Sequence, residues 1–365
     1  MFLIITRNFP PDVGGIQSLM GGLTETLLNH GPVKVFTFDH PNADTFDIKS
    51  QINIERVKGI KIFRKFRKAN LINNFINTNS NIRAIIADHW KSLELIKDNN
   101  LKKTKSFCLL HSKEINHKIG SPLNKRLIKS TNKADFIVAN SNFTKKLAIK
   151  VGIDQKKLHI IFPGINKPKE VENIFKVKAE KFFGDSFPKI ITVARLDKRK
   201  GHDKILMSIK NLKTKFPKIK YISIGDGKEE TNLAKLSREL SIENDVLFLK
   251  NVDFDLKTAL ISEANLFLMP NRIEKKSVEG FGISFMEAAS YGVGSIGGKD
   301  GGSIDAISHN KTGIICDGED LDSIYKSIII FFKNNNFVEF GKNAKKFSES
   351  FYWEKIIKNY LKLIN

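Results

Sequence analysis

Two glutamates eight residues apart bracket the segment best suited to chemistry, Glu279-Gly-Phe-Gly-Ile-Ser-Phe-Met-Glu287. Eight residues span about two helical turns. Glu279 stands just before a Gly-x-Gly turn, and Glu287 falls inside the helix that should follow. Gly280 and Gly282 allow backbone to come close to a ligand. The helix start at Phe281 and Ile283 offers open N–H groups and a positive dipole end, which suits an anion. The same spacing also fits a plainer role, with Glu279 a cap and Glu287 a surface charge. Upstream, Arg195-Leu-Asp-Lys-Arg-Lys200-Gly201-His202 follows an apolar run. Arg195 could fork onto the oxygens of a diphosphate, with Lys200 beside it as a point charge. Near the start, Gly14-Gly15 sits in Phe9-Pro-Pro-Asp-Val-Gly-Gly-Ile16, either a close approach to an anion or sugar or an ordinary tight turn into a helix. His111 closes a strand and could orient a substrate or relay a proton, or it could be structural. Asp253-Phe-Asp255 resembles a metal-holding pair, but Asp255 before Leu256–Glu263 reads better as an N-cap. No other His, Cys or carboxylate grouping points to a metal. Gly225-Asp-Gly227 has Glu230 in the place of a third glycine, so neither the dinucleotide fingerprint nor the Lys-Ser/Thr phosphate loop is present.

These residues need strands and helices to bring them together. Short β-branched runs predict strands over Phe2–Thr6, Val33–Phe38, Ile52–Val57, Ala84–Ala87, Phe107–Leu110, Phe136–Ala139 and His159–Phe162. A second series runs through Ile190–Ala194, Lys220–Ile224, Val246–Leu249, Leu266–Met269, Gly294–Gly297 and Thr312–Ile315. Helical patterns alternate with them, among them Ile16–Leu28, Phe143–Val151, Phe281–Tyr291 and the amphipathic tail Trp353–Ile364. The expectation is an α/β protein with two Rossmann-like domains, their parallel sheets facing a central cleft. The first domain is expected over 1–165 and a mostly charged connection over 166–187. The second domain should cover 188–345, and a C-terminal helix over 346–365 should cross back to the first.

Length and composition agree. At 365 residues and 41% hydrophobic content, two cores are the default. That content and the mixed charge exclude a disordered chain. Cys108 and Cys316, the only cysteines, exclude a disulfide scaffold. No apolar run is long enough to span a membrane, and the opening is too short for a signal-peptide core, so a cytosolic protein is expected. The net charge of +22 is uneven: residues 1–170 hold 29 Lys+Arg against 13 Asp+Glu, and residues 171–365 hold 32 against 26. The densest basic stretch carries Lys61, Arg64, Lys65, Arg67 and Lys68, interleaved with Ile62, Phe63, Phe66, Ala69, Ile72, Phe75 and Ile76 at helical spacing. A basic amphipathic helix fits an anionic membrane surface or simply solvent. No zinc-finger spacing or ribonucleoprotein motif supports nucleic acid as the partner.

Taken in order, these pieces resemble the retaining glycosyltransferases of GT-B fold that use nucleotide-sugar donors, the large family 4 type. The resemblance runs through Gly14-Gly15, Asp88-His89-Trp90, His111-Ser112, Asn140-Ser141, Pro163-Gly164-Ile165, Val193-Ala-Arg195-Leu196 with Lys200-Gly201, Gly225-Asp-Gly227, Pro270, the Glu279–Glu287 segment and Gly301-Gly302. Within that family, Phe9-Pro-Pro and Val278-Glu-Gly-Phe-Gly-Ile283 are most similar to bacterial phosphatidylinositol α-mannosyltransferases. Thr6-Arg7-Asn8 and Ser284-Phe-Met286 depart from that pattern. The resemblance implies a hexosyltransferase that needs no cofactor or metal, with GDP-mannose favoured as donor and a lipid-linked or glycan acceptor. It also implies cell-envelope synthesis, such as lipopolysaccharide or glycolipid, at the cytoplasmic face of the inner membrane. By the same resemblance, Arg195 and Lys200 hold the donor diphosphate, and Glu287 takes the ribose hydroxyls. Glu279 and the backbone of Phe281–Ile283 hold the sugar, Gly14-Gly15 approaches the diphosphate, and His111 sits by the reacting sugar. A nucleotide-sugar-binding or epimerase-type protein of the same fold is the alternative.

Overall fold

The structure is a computed structural model that describes residues 1–365 apart from the side chain of Lys61. The chain forms two compact units, residues 1–166 with 351–365, and residues 167–350. The first holds seven strands: β1 (Phe2–Ile5), β2 (Val33–Phe38), β3 (Asn53–Val57), β4 (Ala84–Ala87), β5 (Lys105–Leu110), β6 (Phe136–Ala139) and β7 (Leu158–Ile160). They form one parallel sheet in the order β3-β2-β1-β4-β5-β6-β7. The second holds β8 (Lys189–Val193), β9 (Lys220–Ile224), β10 (Val246–Leu249), β11 (Leu266–Met269), β12 (Ser295–Gly298) and β13 (Gly313–Cys316). Its order, β10-β9-β8-β11-β12-β13, repeats the first six strands of the other unit, again all parallel. Every residue of β1, β4 and β11 is buried, as strands covered by helices on both faces must be. The strand order reverses between β1 and β4 and between β8 and β11, the places where open α/β sheets bind ligands.

Several helix bounds depart from the sequence reading. Residues 166–187 are not a bare connection: helix Asn173–Phe183 buries Ala179 and Phe183 and packs on helix Phe254–Glu263 of the same unit. Ile174 and Val177 are exposed, and Phe175 and Phe182 are only partly covered, so the stretch shows little periodicity. The helix expected from Phe281 begins at Ile283, because Gly282 in front of it takes the left-handed conformation at φ 91°. Asp253, not Asp255, caps helix Phe254–Glu263, its carboxylate accepting the Leu256 N–H at 2.7 Å.

The tail completes the first unit. Helix Trp353–Ile364 buries Trp353, Ile356, Ile357, Tyr360 and Ile364 and packs on helix Gly15–Leu28. The Trp353 indole fills the space where a Cβ on Gly22 or Gly164 would stand. Its backbone N–H donates to the Ile165 carbonyl at 3.0 Å, while the Ile165 N–H donates to Phe351 at 2.9 Å.

Candidate active site

In the second unit, the site grows from the carboxyl ends of β8 and β11. Past β8 a short turn, Lys198–Lys200, ends at Gly201 in the left-handed region at φ 78°. A Cβ on Gly201 would strike the Pro270 carbonyl after β11, so glycine lets the two strand ends meet. That meeting delivers Lys200 and Arg199 to one carboxylate. The Glu279 Oε2 accepts from Lys200 Nζ at 2.5 Å and from Arg199 Nη1 at 2.6 Å. Lys200 and Glu279 are both buried. Burial alone would push the Glu279 carboxyl up, but the Lys200 and Arg199 charges outweigh it and hold the group at about 2. Burial lowers Lys200, and the attraction of Glu279 works against that loss. The cluster thus sets two basic side chains on one carboxylate.

The backbone around it is equally constrained. The Gly302 N–H donates to the Glu279 carbonyl at 2.9 Å, and a side chain on Gly301 or Gly302 would strike the carbonyls of Glu279 and Gly280. Helix Ile283–Ser290 has no side-chain cap and no acid in its first turn, so its positive end is not neutralised by its own sequence. Phe281 turns its ring into the core, leaving backbone at this point. Glu287, one face further along, is half-exposed and 3.6 Å from Lys257 Nζ. Arg195 is mostly exposed, with Asp197 at 3.1 Å. Its carbonyl is pinned by His202, whose Nε2 lies 3.2 Å away and whose Nδ1 lies 3.0 Å from the Tyr221 hydroxyl. Burial pushes His202 down to about 4, so it is neutral and structural.

In the first unit, His111 follows β5, and its Nε2 lies 2.7 Å from the Asp88 carbonyl. A carbonyl only accepts, so Nε2 carries a proton there. Gly15 has open space where a Cβ would stand, while one on Gly14 would meet the Gln17 amide. Packing therefore does not explain a glycine at Gly15. Lys68 is a correction to the membrane-facing set. It is buried, its Nζ donating to the Thr6 carbonyl at 2.6 Å and lying 4.2 Å from the Phe38 ring centroid. Burial lowers it to about 8. Arg64 is drawn to the same ring, at 4.3 Å. Lys65 and Arg67 are exposed beside Ile62, Phe63 and Phe66. Lys61 lies outside the described side chains.

Comparison with known proteins identifies the two halves. Residues 13–167 match the family model Glycosyltransferase Family 4, and residues 173–349 match Glycosyl transferases group 1. The chain is 25% identical over 344 residues to the GDP-mannose-dependent alpha-(1-6)-phosphatidylinositol monomannoside mannosyltransferase of Mycobacterium tuberculosis, covering 89% of this chain and 87% of that one. The solved structure of Anabaena HepE in complex with UDP superposes with a TM-score of 0.82 at 17% identity, covering 99% and 98%. The chain is a GT-B glycosyltransferase. A glycosyltransferase of Methanocaldococcus jannaschii matches this transferase at 24% identity over 391 residues, covering 99% of this chain and 97% of that one.

Within the transferase, the structure joins Lys200 to Glu279 and carries Gly280–Ile283 directly on from them. Sequence reasoning missed Arg199, Asn271 and Arg272. Arg272 forks onto Asp203 at 2.9 Å through both nitrogens, and its N–H donates to the Arg199 carbonyl at 2.9 Å. Asn271 is fully buried and donates to the Asp300 carbonyl at 2.6 Å. Both follow β11 at the reversal of strand order, and that position was the available signal. Among the described residues no group of three His, Cys, Asp or Glu side chains could hold a metal, and no helix is long and apolar enough to cross a membrane.

Proposed function

We propose that the transferase moves a hexose from a nucleoside-diphosphate donor to a hydroxyl of a lipid-linked or glycan acceptor, with retention at the anomeric carbon and without a metal. GDP-mannose is the favoured donor, supported by the GDP-mannose dependence of the mycobacterial relative. The observation that carries the reading is the buried Arg199–Glu279–Lys200 cluster at the carboxyl ends of β8 and β11, beside an uncapped helix N-terminus. In transfer, the bond from C1 to the β-phosphate oxygen breaks and its electron pair leaves with the diphosphate. The acceptor oxygen bonds C1 on the same face, and its proton passes to the departing phosphate. Arg199 and Lys200, with Arg195, stabilise the charge that grows on that phosphate. Glu279, Glu287 and the backbone of Phe281–Ile283 hold the sugar and ribose hydroxyls. In the same reading, His111 serves the reacting sugar and Gly14-Gly15 serves the diphosphate and acceptor.

The reaction is placed at the cytoplasmic face of an anionic membrane in cell-envelope synthesis, supported by the phosphatidylinositol-linked acceptor of that relative and by the exposed Ile62, Phe63, Lys65 and Arg67. The test is a thermal-shift panel of GDP, UDP, ADP and their sugars, with and without magnesium. The expected result is a metal-independent rise with GDP and GDP-mannose that Arg195→Ala weakens. A rise only with UDP or ADP compounds overturns the donor assignment, and no rise with any nucleotide overturns transfer. Nucleoside diphosphate released only in the presence of acceptor separates transfer from epimerisation.

A further inference from the structure

Past β11 the chain runs Pro270-Asn271-Arg272, and this tripeptide reaches both sides of the cluster around Glu279. The Arg272 N–H holds the Arg199 carbonyl at 2.9 Å. The other side is reached through Asn271, which is fully buried. Its Nδ2 donates to the Asp300 carbonyl at 2.6 Å and to the Ser303 hydroxyl at 3.1 Å, while its Oδ1 accepts from the Gly298 N–H at 3.1 Å. The amide has one workable orientation. Turned over, it would set its oxygen against the Asp300 carbonyl and its NH2 against the Gly298 N–H. Ser303 closes the ring by donating to the Gly298 carbonyl at 2.6 Å. A buried polar network in which every member is satisfied specifies a single geometry. Asn271 therefore fixes residues 298–303, the strap that leaves β12.

The strap in turn lies on the backbone of Glu279 and Gly280. The Gly302 N–H donates to the Glu279 carbonyl at 2.9 Å. Gly301 takes the left-handed conformation at φ 87°, and a Cβ on Gly301 or Gly302 would strike the carbonyls of Glu279 and Gly280. Backbone rests on backbone here, with no flexible side chain between to absorb a shift. A displaced strap passes its displacement to Glu279 and to the N–H groups that follow it.

We propose that Asn271 is a positioning residue for the sugar of the donor. Acting through residues 298–303, it sets the backbone of Glu279–Ile283 where the hexose hydroxyls are held. This assignment rests on the transfer reading and goes beyond it, giving sugar recognition a determinant that touches no substrate. The diphosphate is held from the β8 side by Arg195 and Lys200, to which Asn271 makes no hydrogen bond. The sugar and nucleotide parts of donor affinity should therefore respond differently to changes at Asn271.

The test compares sugar nucleotide with bare nucleotide on the full chain, by titration calorimetry. The probes are GDP with GDP-mannose and UDP with UDP-glucose. Asn271→Ala deletes the amide. It should raise the Kd of the sugar nucleotide that the wild type binds about tenfold, and that of the matching diphosphate less than about twofold. Ser303→Ala removes part of the ring and should move the same ratio in the same direction by less. Ile328→Val, a packing change in the core of this unit, should lower the melting temperature and leave the ratio unchanged. Sugar-nucleotide and diphosphate affinities that fall together in Asn271→Ala and Ser303→Ala, or that both stay at the wild-type values, overturn the proposal. Should Asn271→Ala fail to fold, the ratio in Ser303→Ala decides alone. A wild type that binds neither sugar nucleotide counts instead against the transfer reading, and the role of Asn271 falls with it.

Discussion

Glu279 shows how a sequence position acquires chemistry only through its neighbours. Its segment stood out because a carboxylate precedes a Gly-x-Gly turn, but its strongest contacts come from Arg199 and Lys200, about eighty residues away in the chain. Removing one member of a buried charge cluster leaves the rest unpaired, so Glu279→Gln should cost about 3 kcal/mol in urea unfolding. The pH dependence follows from the sign of the shift. The folded carboxyl, at about 2, lies below its ordinary value of 4.5. Its contribution is therefore complete above about 4.5 and disappears as pH falls toward 2. Melting temperature between pH 6 and 2.5 should fall more steeply in the wild type than in Glu279→Gln. Parallel profiles would show that the cluster does not titrate with folding. Arg199 was not legible, because in a run of Lys-Arg-Lys nothing local tells a paired cation from a solvated one.

At the scale of elements, strands were legible and helix surroundings were not. Runs such as Leu266–Met269 announce themselves because a parallel strand is buried on both faces. Helix Asn173–Phe183 hid because it buries only a narrow stripe, and the residues it packs on lie eighty positions away. The basic helix Lys61–Thr78 was legible in its spacing but not in the fate of each charge. Ala69, Ile72 and Ile76 do face the core, while Ile62 and Phe63 are about two-thirds exposed, at 70% and 66%. Lys68 turns inward. This division sets two variants against each other. Lys65→Gln with Arg67→Gln removes roughly 1 kcal/mol of attraction per cation to an anionic bilayer and should lower binding to phosphatidylglycerol vesicles without lowering melting temperature. Lys68→Gln should do the reverse, destabilising the fold through the lost Thr6 contact with vesicle binding kept. Vesicle co-sedimentation beside thermal melting checks both, and binding unaffected by the double substitution would count against a membrane role for this helix.

On the scale of the whole chain, the folding units are not consecutive in sequence. The first unit begins at Met1, is interrupted by all of 167–350, and is finished by 351–365. The tail was legible as an amphipathic helix, but its docking depends on glycines that no periodicity reveals. Gly22 and Gly164 are small so that the Trp353 indole can lie between them, and Tyr360 adds a ring contact to Phe107 at 6.1 Å. The first unit therefore cannot reach full stability until the last residues exist, although its sheet and the hydrophobic cluster beneath it are drawn from residues before 166. Trp353→Ala should cost about 3–5 kcal/mol, the range for emptying a buried aromatic site. Gly22→Ala should be comparably damaging from the opposite side, since its methyl would overlap the indole. Multidomain chains need not unfold in one step, so the loss should fall on one transition. Calorimetry of Trp353→Ala should show the first unit melting earlier, while the transition that responds to nucleotide, assigned to residues 167–350, stays in place. A uniform shift of the whole profile would mean that the two units unfold as one.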